Sequence, residues 1–311
     1  MSRIVSFGAA LQNIYLIDHN DFTPPPVVIN QKVTVDKISY QVGGGGVNTA
    51  LMFAEYGHET ILISSIAEDI AGGAILSALN REDIDSSYLY LDPKKPTGTS
   101  IILLDSNSST NVTLTHHGAA KTTAGYTATD LDLIHPDWIY ATTAYGDMDI
   151  LRDFFEQAHL GGTKVMFNPG PDELGQPKKL IGLLEDVDIL YVNKTEAAKL
   201  VPGAILTELL SHLNNYVETV IITDGAMGGI ASNREEAYRF GIYEDVKKKD
   251  ATGAGDAFGA GFLAHYADGH NFKDSLIFAS ANATSVVSQI GGNSSFISKK
   301  KTLHPMPIQK I

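Results

Sequence analysis

Apolar positions in this chain come as short continuous runs, separated by stretches with helical periodicity. "ETILISSIA" (59–67), "DWIYATTA" (137–144), "TKVMFNPG" (163–170), "VDILYVNKTE" (187–196) and "ETVIITDGAMG" (218–228) are the continuous runs. Each is short and ends in turn-forming or polar residues, so each predicts a buried strand. The opening "RIVSFGAA" reads as a first buried strand ending in a turn. Between the runs, "AGGAILSALNRED" (71–83), "DILRDFFEQAHLGG" (149–162) and "TEAAKLV" (195–201) predict helices. This alternation predicts an α/β fold with a mainly parallel sheet covered on both faces. Ligands of such sheets bind at the carboxyl ends of strands. Every polar cluster singled out below falls at such an end.

Two segments break the rhythm. "TPPPVVINQKVTVDKISYQV" (23–42) opens on three prolines and turns β-rich and half polar. "PTGTSIILLDSNSSTNVTLTHHG" (96–118) reads as two strands joined by "DSNSST". Together they predict either a small antiparallel lid sheet or a pair of surface hairpins. As a lid it spans about 14–41 and 96–117, within a single domain covering 1–311. There is no internal repeat and no low-complexity linker.

Composition narrows the chemistry. With 311 residues, 43% hydrophobic and 19% charged, the chain reads as soluble and globular. A net charge of −13 argues against a nucleic-acid or anionic-membrane partner. The absence of cysteine excludes disulfides, thiolate metal sites and cysteine nucleophiles, and fits a cytoplasmic location. No apolar run approaches the roughly 18 residues of a membrane helix.

Two stretches carry candidate chemistry. "VGGGGVNTALMFAEYG" (42–57) sets glycines between a strand and a helix, where the backbone can approach a ligand. Gly43 and Gly45 fit the start of a dinucleotide fingerprint, but its third glycine position is Asn48. An amide there donates and accepts, which suits sugar hydroxyls. "DATGAGDAFGAGFLAHYA" (250–267) opens a second helix with a glycine turn. Free amides at a helix start bind anions. Asp256 in that first turn is either a complement to the helix dipole or a general base. His116 and His117 are adjacent, so they face opposite sides of a strand and do not chelate together. Lys247–Lys249 read as a solvated strand face, or as positive potential near a phosphate. P-loop, zincin and nucleophile-elbow motifs are absent.

"DATGAGDAFGAGFL" closely resembles the C-terminal signature of the ribokinase-like (PfkB) family of sugar and nucleoside kinases. "GGGGVNTALMFAEYG" is similar to its N-terminal signature. "NKTE" (193–196) resembles its N-x-x-E motif and "TDGAMGG" (223–229) its nucleotide turn. "AEDIAGG" (67–73) resembles its G-x-D-x-x-G stretch, with Ala67 for the first glycine. The matches fall in the family's order over nearly the whole chain. The resemblance implies a three-layer ribokinase-like fold with a small β lid. It implies transfer of the γ-phosphate of ATP to a hydroxymethyl group, with Mg²⁺ as cofactor. It makes Asp256 the base and the Gly253, Ala254 and Gly255 amides the anion hole. Asn13, Gly44, Gly45 and Asn48 face the substrate. Asn193, Thr223, Gly225 and Gly228 lie along the nucleotide, Asn282 either lines the adenine pocket or is a small polar core position, and Asn193 and Glu196 organise magnesium through water. Some relatives hold potassium beside the residues matching Asp250 and Thr252. Lids of this family often pair subunits, so a homodimer is also an expectation.

Three positions depart from the family pattern. Asn13 stands where an acid usually grips sugar hydroxyls. This keeps open a ligand-binding relative with weak or no kinase activity. Gly45 replaces the lysine of ribokinases proper, which disfavours ribose. His117 replaces an arginine found in kinases of acidic sugars. A nicotinamide dehydrogenase is the third reading, and it lacks the required glycine.

Overall fold

The computed structural model describes residues 1–18, 34–105, 109–244, 246–293, 295–299 and 301–311. Its large sheet has ten strands in the order β14 (Ile308–Lys310), β13 (Ala237–Phe240), β12 (Gly229–Ser232), β11 (Thr219–Thr223), β10 (Ile189–Asn193), β9 (Lys164–Phe167), β8 (Trp138–Ala141), β1 (Arg3–Phe7), β4 (Glu59–Ile66) and β5 (Leu89–Leu91). From β5 through β11 neighbouring strands pair in parallel. From β11 to β14 they pair antiparallel.

Side-chain alternation divides these strands between two helical layers. Val5, Phe7, Leu190, Val192, Val220 and Ile222 share one core with Leu151, Phe154 and Leu209. Ile4, Ile189, Tyr191 and Ile221 share the other with Phe258, Phe262 and Leu276. Burial on both faces explains why these strands read as unbroken apolar runs.

Helices flanking the sheets include α1 (Gly45–Glu55), α2 (Ile70–Arg81), α3 (Met148–Gly161), α4 (Lys194–Leu200), α5 (Ala254–Ala267) and α6 (Phe272–Val287). The strands and helices predicted for the large sheet and its layers all form, with boundaries shifted by up to five residues. Helix α5 is buried at every residue from Ala257 to Ala264. Gly259 makes that possible, because a Cβ there would run into the Tyr140 hydroxyl.

The small sheet also forms, in the order β3 (Lys37–Gly43), β2 (Leu11–Asp18), β6 (Gly98–Asp105), β7 (Thr110–His116). It is mixed rather than antiparallel, because β2 and β6 run parallel from Leu11↔Gly98 to Asp18↔Asp105. The chain returns through β3, α1, β4 and α2 before β6, and that long crossover permits the parallel pair. The proline segment and most of the "DSNSST" turn lie outside the described residues. Lys247–Lys249 are exposed but not in a strand, which corrects the strand-face reading.

Candidate active site

Two glycine-rich helix starts meet at the carboxyl ends of the large sheet's strands. Helix α5 begins after Gly253, which holds φ 75° and ψ 3°, a left-handed turn that glycine adopts at low cost. A Cβ on Gly253 would collide with the backbone of Gly292. Helix α1 begins after Gly44, and Gly46 and Val47 donate their N–H groups to the Ala9 carbonyl at 3.0 and 3.3 Å. This seats α1 on the end of β1.

Asp256 joins the two helices. Asn48 Nδ2 donates to Asp256 Oδ2 at 2.7 Å across 208 residues of chain. Asn293 Nδ2 donates to Asn48 Oδ1 at 3.2 Å and to the Val42 carbonyl at 2.8 Å. Asn48 is thereby fixed with its amide nitrogen toward the carboxylate. Burial pushes the Asp256 carboxyl up from the ordinary carboxylate range, and the Asn48 hydrogen bond pulls it partly back. Asn13 is buried on β2 with its amide against Gly43, next to this junction. Gly45 faces Thr142, whose Oγ1 lies 3.0 Å from where a Cβ would stand. Of the four residues expected to face a substrate, Asn48 bonds Asp256 directly, Gly44 and Gly45 open the same helix α1, and Asn13 packs on Gly43 just before it.

On the other side of α5 lies a cleft of about 880 Å³. Asn193, Glu196, Thr223, Gly225, Gly228, Ala254 and Gly255 all line it. Asn193 and Glu196 form a reciprocal cap on α4. Glu196 N–H donates to Asn193 Oδ1 at 3.0 Å, and Asn193 N–H donates to Glu196 Oε2 at 2.8 Å. Burial raises the Glu196 carboxyl, against the lowering effect of the Asn193 N–H. The motif thus has a structural role: both the backbone and the side chain of Asn193 are hydrogen-bonded to Glu196.

Metal fit follows from these donors. Among the described residues no group of three or more His, Cys, Asp or Glu side chains could hold a metal ion. One carboxylate and one amide that already cap α4 suit a Mg²⁺ ion carried mainly by phosphates and waters rather than one held in a protein cage. Asp250 and Thr252 fit a monovalent cation less well. Asp250 Oδ1 accepts from Thr252 N–H at 3.0 Å, Thr252 Oγ1 at 2.8 Å and Asn111 Nδ2 at 3.2 Å. Its Oδ2 accepts from Gly291 N–H at 3.2 Å. This aspartate is engaged in clamping the loop before α5 to Asn111 of the small sheet.

Asn282 does not belong to the cleft. It is fully buried, accepts from the Tyr56 hydroxyl at 2.8 Å and donates to the Ala257 carbonyl at 2.8 Å. It fastens α6 to α1 and α5. Ser280, Ala283, Thr284 and Val287 of the same helix line the cleft instead, with Phe240, Ile242 and Tyr243. Sequence reading also passed over Tyr191 and Phe258, which form part of the cleft's floor. For Tyr191 a signal existed: it lies two residues before Asn193 on one strand, so both side chains share a face.

The pfkB family of carbohydrate kinases matches this chain over residues 1–300. The chain belongs to that family. The nucleoside kinase of Methanocaldococcus jannaschii is 25% identical over 292 residues, 94% of this chain and 92% of that protein. Among solved structures, Arabidopsis thaliana ribokinase complexed with ribose and ATP superposes with a TM-score of 0.78, at 22% identity over 95% of both chains. Burkholderia thailandensis nucleoside kinase in complex with inosine gives 0.78 at 18% identity, over 95% of this chain and 94% of that one. These similarities show the ribokinase-like fold: the layered large sheet and the small sheet beside it. No helix among the described residues of this pfkB-family chain is long and apolar enough to cross a membrane.

Proposed function

We propose that this chain transfers the γ-phosphoryl group of ATP to a hydroxymethyl group of a sugar or nucleoside. One observation carries the reading. The first turn of α5 presents Ala254 and Gly255 to the large cleft while Asp256, one residue on, is bonded to Asn48 on the opposite side. A phosphoryl group at that turn and a hydroxyl beside Asn48 meet at one carboxylate. The ribose, inosine and ATP held by fold relatives support the substrate class.

In the reaction the acceptor oxygen attacks the γ-phosphorus and its bond to the β,γ-bridging oxygen breaks. ADP leaves with the electron pair, and the acceptor's proton passes to Asp256. An Asp256 carboxyl raised by burial is a stronger base once ionised than an exposed one. Asn48 orients it, and the positive end of α5 favours the negative phosphoryl group. Asn193 and Glu196 would hold hydrated Mg²⁺, which neutralises phosphate charge when bound. Asn13, Gly44 and Gly45 form the acceptor side, with the small sheet closing over it as a lid.

The test is ADP release, followed over pentoses, hexoses, deoxy-ketosugars and nucleosides. Turnover with at least one acceptor, abolished in Asp256→Asn with acceptor binding kept, is the expected result. Binding across the panel without turnover would instead establish a non-catalytic relative, in line with Asn13 in place of an acid.

A further inference from the structure

Two tyrosines lie under the start of α5. Tyr140 on β8 is fully buried, and its hydroxyl has no hydrogen-bond partner among the described residues. Tyr191 on β10 is 4% exposed and stacks on Phe258, with 5.3 Å between ring centroids. Both rings abut Gly259. Their hydroxyls differ in place. That of Tyr140 sits against Gly259, more than a turn into the helix, and Tyr140 does not line the cleft. That of Tyr191 lies 3.7 Å from where a Cβ on Gly255 would stand, and Tyr191 does line the cleft, with Asn193 and Thr223.

The helix start offers fewer free amides than its sequence implies. The Ala254 N–H donates to the Ala251 carbonyl at 3.2 Å, so it is already engaged. A phosphoryl group in transfer spreads charge over three equatorial oxygens and needs donors aimed at them. With one of three expected amides engaged, a donor is wanted at this end of the cleft.

We propose that the Tyr191 hydroxyl supplies it, donating a hydrogen bond to the phosphoryl group at the amino end of α5. The inference rests on the kinase reading above and adds a residue to it. The phenol suits the task because a tyrosine hydroxyl, with an ordinary pKa of about 10, carries its proton at neutral pH. The stack on Phe258 holds the ring, so the donor is positioned before the nucleotide arrives.

Tyr191→Phe keeps the ring and its stack and removes only the hydroxyl. Its steady-state kinetics are compared with wild type and with Tyr140→Phe, using an acceptor found by the ADP-release panel. Calorimetry measures binding of ADP and of a non-hydrolysable ATP analogue. The expected result for Tyr191→Phe is a fall in kcat of about 10²-fold. The acceptor KM, ADP affinity and melting temperature stay as in wild type, while affinity for the ATP analogue falls. Tyr140→Phe keeps the wild-type kcat. Wild-type kcat in Tyr191→Phe, with the wild-type enzyme active, overturns the tyrosine assignment alone. So does an equal fall in both variants, or a loss of ADP binding, since either marks a packing role. A wild-type protein that neither binds nucleotide nor turns over any acceptor overturns the kinase reading and this inference with it.

Discussion

Asp256 is held where its proton is favoured, and this has consequences in two directions. As a base it must be ionised, so activity rises as pH climbs through its raised pKa. The acid limb of kcat/KM should therefore lie above the ordinary carboxylate value of about 4. Asn48 pulls that pKa down, so Asn48→Ala should move the limb to still higher pH. A pH–rate profile decides it, and an unmoved limb removes Asn48 from the role given to it. Stability runs the other way. A folded-state pKa above the unfolded one stabilises the fold below the unfolded value, and that contribution is lost as pH rises through the folded value. At pH 8 the ionised carboxylate thus weakens the fold relative to a neutral amide. Asp256→Asn should melt at a higher temperature than wild type at pH 8, with the gap closing as pH falls. A lower melting temperature at pH 8 would mean that the carboxylate is a structural partner. Each of the residues Asp256 and Asn48 was legible in the sequence as a candidate. Their 2.7 Å contact was not, because it joins helices 208 positions apart.

At the scale of elements, the same four letters can serve a helix and a ligand. "NKTE" is a capping box on α4 and also lines the cleft of about 880 Å³. Asn193→Ala removes the cap and should cost about 1 kcal/mol of stability. Serine caps nearly as well, so Asn193→Ser should keep the wild-type melting temperature. It lacks the amide, so its kcat/KM for ATP should fall nonetheless. Activity that merely follows melting temperature across the two variants would leave the motif a cap and nothing more. The parallel strands were readable because both faces are buried and their runs are unbroken. β12 (GIAS) and β13 (AYRF) escaped notice because neither carries an unbroken apolar run: Gly229 and Ser232 bound the first and Arg239 interrupts the second. Asn282 could not be assigned between pocket and core from the sequence. Successive positions on a helix turn by about 100°, and a run of small residues does not reveal which side is buried. The structure turns Asn282 inward and Ala283 and Thr284 to the cleft.

Over the whole molecule, the small sheet is docked by polar contacts to the loops before α5 and after α6. Ser109 Oγ donates to the Lys248 carbonyl at 2.8 Å, and Gln41 Nε2 donates to the Ile290 carbonyl at 3.3 Å. Its inner face buries Tyr15, Ile17, Ile102 and Leu104. Its outer face is also apolar. One cross-strand row runs Ile38, Leu16, Leu103, Val112, and the next runs Tyr40, Ile14, Ile101, Leu114. Tyr40 is 67% exposed and Leu114 55%. A contiguous apolar face of this kind marks an interaction surface rather than scattered exposure. A second copy of the same chain is the occupant we propose. Two identical faces can pair about a two-fold axis without a second complementary surface. The rows carry no charge, so a molecule of net charge −13 can approach itself there with little local repulsion. Sedimentation equilibrium should then show a dimer for wild type and a monomer for Tyr40→Glu combined with Leu114→Glu. Both substitutions lie on the outer face, so the monomer should keep its melting profile. A monomeric wild type would exclude pairing through this face. A double variant that stays dimeric would place the interface elsewhere.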